Sequence, residues 1–139
     1  LVLAAAGLAR LGGLGAKARP FPPGLVLPAP GQGALAVEAR AGDRESLDLL
    51  AAIDRPEVRA EVAAEREVLR LLGGGCRSPL GARGETLTGG RLRLHAALAD
   101  AARGVRSDAR AEGALADALS LAAAVAADLA AKGACGSIP

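Results

Sequence analysis

Tryptophan, tyrosine and methionine are absent from this 139-residue chain, and Phe21 is its one aromatic residue. Without stacking rings there is no platform for single-stranded nucleic acid. The net charge of +2 comes from 17 basic and 15 acidic residues that are interspersed, so no basic stripe marks a nucleic-acid surface either. Hydrophobic content reaches 51%, but it is built from Ala, Leu and Val, and the core must rely on close helix packing. Cysteine is scarce. Cys76 and Cys135 are too few for a disulfide framework and read as free thiols of a cytoplasmic protein. With His95 as the one histidine and no Cys-x-x-Cys pair, a zinc site lacks a donor set. The most apolar stretch, 114–131, contains Asp117 and Asp128 and reads as a buried helix rather than a membrane span. No signal peptide is visible. The length suits one domain with part of another, and a start without methionine reads as the tail of a longer chain or a processed product.

Residues 1–11 predict a helix, with Leu1, Leu8 and Leu11 in one stripe and Gly12-Gly13 as its stop. Pro20, Pro22, Pro23, Pro28 and Pro30 exclude helix from 18–30 and leave an extended connection. Leu25-Val26-Leu27 and residues 35–39 predict two short buried strands within and after it. A short helix is expected over 46–53. Asp54 as N-cap, with Pro56 and Glu57 behind it, opens a longer helix to Leu72. Its apolar face takes Val58, Val62, Leu69 and Leu72, and Gly73 to Gly75 end it. Alternation then predicts strands over 80–87, 91–98 and 105–111, joined at 88–90 and 100–104. In the middle strand Leu92, Leu94, Ala96 and Leu98 share one face, and Arg91, Arg93, His95 and Ala97 the other. An Ala/Leu helix over 114–132 follows, stopped by Gly133. The fold class is α+β, a C-terminal three-stranded antiparallel sheet packed with helices.

Two segments carry candidate chemistry. Gly73-Gly74-Gly75-Cys76-Arg77-Ser78-Pro79-Leu80-Gly81 presents a thiol on a glycine loop, as a nucleophile or attachment site, or else as a small hydrophobe filling a gap. The preceding helix C-terminus disfavours thiolate and Arg77 favours it. No oriented histidine makes a Cys-His protease. In Gly31-Gln32-Gly33 the glycines permit close backbone approach to a ligand, while alone the segment is simply a tight turn. Glu38 and Glu65-Arg66 read as solvated helix faces or structural ion pairs, His95 as a surface or packing residue. Cys135 has no motif around it.

Together these segments resemble the porphobilinogen deaminases (hydroxymethylbilane synthases) of tetrapyrrole, porphyrin and heme biosynthesis. The resemblance rests on the run from Leu3 to Gly12, on Leu27-Pro28-Ala29-Pro30-Gly31-Gln32-Gly33-Ala34 with Glu38 and Arg40, on Ala64-Glu65-Arg66, and on Gly74-Gly75-Cys76-Arg77-Ser78-Pro79-Leu80-Gly81. It implies that Cys76 carries a dipyrromethane cofactor as a thioether. On this primer four porphobilinogen units are polymerised head to tail with loss of ammonia. It implies also that residues 1–33 end a second domain, 34–52 return to a first, and 55–139 form the cofactor-anchoring domain. The first two would be incomplete parts of a periplasmic-binding-protein-like region, with Gln32, Gly33 and Ala34 at the hinge beside the cleft. The partners implied are porphobilinogen and the growing polypyrrole, with no nucleic acid or membrane, in a monomeric parent enzyme. The family's catalytic aspartate and most carboxylate-binding basic residues belong to an N-terminal half that this sequence does not contain, so the piece alone is expected to be inactive. The competing reading is a non-catalytic α+β interaction or scaffold domain. A thiol redox module lacks a resolving cysteine.

Overall fold

The computed structural model describes residues 1–13, 17–22, 24–75, 78–100 and 103–132. Helix α1, Ala5–Arg10, is shorter than the stripe of leucines suggests. It stops where Gly12 and Gly13 take φ of 85° and 72° and the Gly13 N–H reaches the Leu8 carbonyl. Neither short strand forms. Residues 24–26 are turn and bend, and 35–39 have no regular structure. An apolar triplet framed by prolines offers few ladder donors, and among the described residues the segment meets the strand Leu80–Leu87 through a single backbone hydrogen bond, from the Ala82 N–H to the Pro28 carbonyl.

Helix α2, Arg44–Ala51, begins earlier than expected because Asp43 caps it, accepting hydrogen bonds from the Ser46 N–H at 3.1 Å and the Ser46 hydroxyl at 2.8 Å. Helix α3 spans Pro56–Leu71, with Arg55 rather than Asp54 at its N-cap. Asp54 turns instead to Arg59, 2.7 Å from its guanidinium. The helix ends in a Schellman arrangement. Gly73 (φ 70°) donates to the Arg70 carbonyl at 3.1 Å, and Gly74 to the Leu69 carbonyl at 2.9 Å. Its buried face is Ala64, Glu65 and Val68, continued by Leu72, whereas Val58 stays exposed.

Strands β1 (Leu80–Leu87), β2 (Arg91–Asp100) and β3 (Val105–Ala114) form one antiparallel sheet in the order β1-β2-β3. β3 runs further than its alternation shows because Glu112 pairs with Arg93 across the strands and Ala114 with Arg91, and the guanidinium groups of both arginines reach Glu112 at 3.1 Å. A single 3-10 turn over Leu115–Asp117 then leads into α4, Ala118–Ala131, which starts later than expected.

Both long helices cover one face of the sheet. There Leu92, Leu94, Val68, Val125 and Leu129 are fully buried, with Ala64, Ala96 and Ala122 between them. Alanine at these contacts lets helix and sheet approach closely, which is how a core without aromatic rings reaches normal density. The opposite face bears Arg83, Glu85, Arg93, His95, Arg110 and Glu112. Thr86 points to the core side, and its buried hydroxyl has no hydrogen-bond partner among the described residues. Thr86→Val removes that unpaired group at similar shape and is expected to stabilise the fold by about 1 kcal/mol, read as a higher urea midpoint by circular dichroism.

Candidate functional site

β1 is an edge strand, so its outward N–H groups need acceptors from outside the sheet. Three are supplied. Ala82 donates to the Pro28 carbonyl at 2.9 Å, Gly84 to Glu65 Oε1 at 2.7 Å, and Thr86 to Glu61 Oε1 at 2.6 Å. The match is geometric. Four helical residues advance about 6 Å, and two strand residues about 6.8 Å, so glutamates at i and i+4 of α3 meet alternate amides of β1. The helix must lie very close for this. A Cβ on Gly84 would fall 2.9 Å from both Cα and Cβ of Glu61.

The second oxygen of Glu65 takes the N–H of Gly31 at 2.6 Å. Gly31 sits in a turn of type II pattern, with Pro30 before it, φ of 76°, and the Gln32 N–H donating to the Ala29 carbonyl at 2.9 Å. A second turn overlaps it, closed from the Ala34 N–H to the Gly31 carbonyl at 3.3 Å, with Gly33 at φ 88°. Gln32 serves its own turn, accepting from the Ala29 N–H at 3.0 Å. Gln32, Gly33 and Ala34 are exposed, and the space around Gly33 is open. One carboxylate thus ties the 28–34 turn to both α3 and β1.

Glu65 is therefore not the solvated charge that its sequence context suggests, and it forms no ion pair among the described residues. It is only 8% exposed. Burial pushes its carboxyl above the ordinary glutamate range, against the two amide hydrogen bonds that favour ionisation. Arg66, next to it, is exposed, as is Glu38.

The same helix leads to the cysteine loop. Gly74 is packed so tightly that a Cβ would meet Leu69 Cδ1 at 2.6 Å and Ser78 Oγ at 2.7 Å. Gly75 and Ser78 hold each other, the Gly75 N–H donating to Ser78 Oγ at 2.8 Å and the Ser78 N–H to the Gly75 carbonyl at 3.0 Å. Cys76 and Arg77 lie outside the described residues, as does Cys135. The chain flanking position 76 is thus fixed on both sides, and α3 carries both the 28–34 turn and the approach to the cysteine.

His95 stands on the face away from the leucines, with Nε2 2.7 Å from Asp108 Oδ1. Arg106 also grips Asp108, donating from Nε at 2.8 Å and holding its carboxyl below the usual range. Arg106 reaches further, donating to the carbonyls of Leu25 at 2.7 Å and Gly24 at 3.2 Å. Segment 24–31 is therefore a strap that starts on the open face of the sheet, rounds the edge of β1 at Pro28 and ends on α3 at Gly31. Glu61, Glu65, Gly84 and Arg106 are absent from the sequence-derived site. The one local signal for them is the pair of like charges at i and i+4 on α3.

No helix among the described residues is long and apolar enough to cross a membrane. Two family models match the chain, the porphobilinogen deaminase C-terminal domain over residues 59–131 and the porphobilinogen deaminase dipyrromethane cofactor-binding domain over residues 1–48. Among similar proteins, the porphobilinogen deaminase of Roseiflexus castenholzii is 54% identical over 82 residues, 59% of this chain and 27% of that protein. That of Desulforudis audaxviator is 52% identical over 99 residues, 71% of this chain and 32% of that protein. That of Mycobacterium avium is 51% identical over 87 residues, 63% of this chain and 28% of that protein. The match thus spans about a third or less of the relatives' length. On two family models in succession and relatives at this identity, the chain belongs to the porphobilinogen deaminase family.

Proposed function

We propose that this chain is the C-terminal part of a hydroxymethylbilane synthase, a transferase that joins four porphobilinogen units head to tail with loss of ammonia, and that Cys76 anchors its dipyrromethane primer as a thioether. The observation that carries the reading is the shared mounting of two family motifs on α3. The 28–34 turn is tied to the helix through Glu65, and the chain entering and leaving position 76 is fixed at Gly75 and Ser78. The residues fit the group. A thiol is the donor a thioether needs, and among the described residues none beyond the chain neighbours lies within 4 Å of a Cβ placed on Gly75. When bound, the cofactor supplies the free pyrrole position at which the chain is extended. The chain's own contribution is to fix the backbone on both sides of position 76 through the Gly75–Ser78 hydrogen bonds. Gln32, Gly33 and Ala34 present an exposed edge beside the cleft, where the Gln32 amide nitrogen, unpartnered among the described residues, donates to ligand carboxylates.

The domain reading follows: 1–33 closes a second domain, 34–52 returns to a first, and 55–139 is the anchoring domain. The boundary between 52 and 55 falls in the gap between the two family-model matches. Exposed Leu1, Val2, Leu35, Val37 and Leu49 support assignment of residues 1–52 to larger, periplasmic-binding-protein-like domains that cover them. The parent enzyme is read as a cytoplasmic monomer whose remaining part supplies the catalytic carboxylate, so the 139-residue piece alone turns over no porphobilinogen. The test is the intact mass of the full-length gene product with peptide mapping across position 76. A dipyrromethane-sized adduct on Cys76, absent from Cys76→Ser, is the expected result. A folded full-length protein with an unmodified thiol would overturn the anchor role in favour of a non-catalytic scaffold.

A further inference from the structure

The open face of the sheet holds a cleft of about 330 Å³ lined by Gly24, Leu27, Arg83, Glu85, Arg93, His95 and Arg110. Its floor is three strands of side chains in register. Arg83 pairs with His95 and His95 with Arg110, so two guanidinium groups flank one imidazole. Cross-strand neighbours stand about 5 Å apart, so Arg83 and Arg110, one strand to either side of His95, can both reach an anion held between them. The local carboxylates are already committed. Glu85 is shared by Arg83 and Arg93 at 3.6 Å each. Glu112 serves Arg91 and Arg93 at 3.1 Å each. Asp108 is taken by His95 and Arg106. Arg110 is left exposed and without a hydrogen bond or ion pair among the described residues. The remaining wall is the strap, at Gly24 and Leu27. It is fixed by Arg106 and packed on Gly81, where a Cβ would fall 2.6 Å from Leu27 Cβ.

We infer that this cleft is a binding site for a small dicarboxylate. One carboxylate takes the planar fork of Arg110 in two parallel hydrogen bonds, and the other draws on Arg83 and Arg93, whose ion pairs with Glu85 are long enough to be exchanged. The inference does not depend on the anchor role of Cys76, because α3, which leads to position 76, packs on the other face of the sheet.

The chain has no tryptophan or tyrosine, so the readout is an amide nitrogen–proton NMR titration with malonate, at ionic strength held constant with chloride. The expected result is saturable shifts at Arg83, His95 and Arg110. Arg110→Gln, which alters an exposed strand position and leaves the core untouched, weakens binding by about tenfold, while Arg44→Gln on α2 binds as the wild type. Equal affinity in wild type and Arg110→Gln, or shifts that never saturate, would overturn the site. Malonate binding to this chain but not to the full-length gene product would show a carboxylate of the longer protein already seated there, and would overturn the small-molecule assignment.

Discussion

Glu65→Ala is expected to cost about 3 kcal/mol and to free the 28–34 turn from α3. The substitution takes the acceptor from two amides at once, Gly31 and Gly84, each held at 2.7 Å or less. An orphaned buried donor costs about 1–3 kcal/mol, and both glycines are half-buried, so water recovers part of the loss. Glu65→Gln recovers little. Its one carbonyl oxygen satisfies one amide, and its NH2 then faces the N–H of the other, donor against donor. Urea unfolding followed by circular dichroism measures the cost. Hydrogen exchange localises it, with Gly31 and Gly84 accelerated together in Glu65→Ala. Unchanged exchange at either glycine would refute the tie. The pH dependence has a definite sign. The folded state raises the Glu65 carboxyl above its ordinary value through burial, so between the unfolded and folded values the native protein binds the extra proton. The stabilisation linked to that proton is complete below the unfolded value and is lost as pH rises through the folded one. Glu65→Gln is expected to flatten this slope in a stability–pH profile.

Gly84→Val should be the more damaging change, at about 4 kcal/mol, combining overpacking of about 1–3 kcal/mol with the loss of the two glutamate hydrogen bonds to β1. The obstacle is the Glu61 backbone, 2.9 Å from the new Cβ, and a helix axis yields far less readily than a side chain. Two glycines calibrate the claim. At Gly113 an added Cβ meets the tip of Leu121 at 3.0 Å, which rotates away, so Gly113→Ala is expected to be mild. At Gly42 nothing lies within 4 Å, and Gly42→Ala is expected to leave the urea midpoint unchanged. A Gly84→Val protein as stable as Gly42→Ala would show that α3 does not sit where the glutamates reach β1.

Much of the fold was legible because periodicity is a local property. The alternation of Leu92, Leu94, Ala96 and Leu98 and the glycines at 73, 89 and 90 delimit β1, β2 and α3 without reference to anything distant. The failures are those in which a partner decides. Leu25-Val26-Leu27 has strand composition, but the carbonyls of Gly24 and Leu25 go to Arg106, more than 80 residues away, and not to a neighbouring strand. Asp54 precedes a proline-initiated helix as a cap would, yet an arginine five residues on takes its carboxylate. Glu65, read as a solvated or ion-paired residue, was the largest misreading. A glutamate on an amphipathic helix gives no local sign that backbone amides 34 residues before it and 19 after it converge on its two oxygens. The cysteine loop was legible as a motif because its glycines are contiguous, whereas its support comes from Leu69 on α3 and from Ala99 on β2, whose N–H donates to the Pro79 carbonyl.

The acceptors that close the outer edge of β1, Pro28, Glu61 and Glu65, all precede that strand in the chain. During synthesis the strap and α3 leave the ribosome first, and β1 emerges to find its exposed side already provided for. Only its other side is then open, and β2 follows directly through a short turn. The interval in which a bare strand edge is offered to another nascent chain is therefore brief, and the order of the elements along the polypeptide itself guards against misassembly.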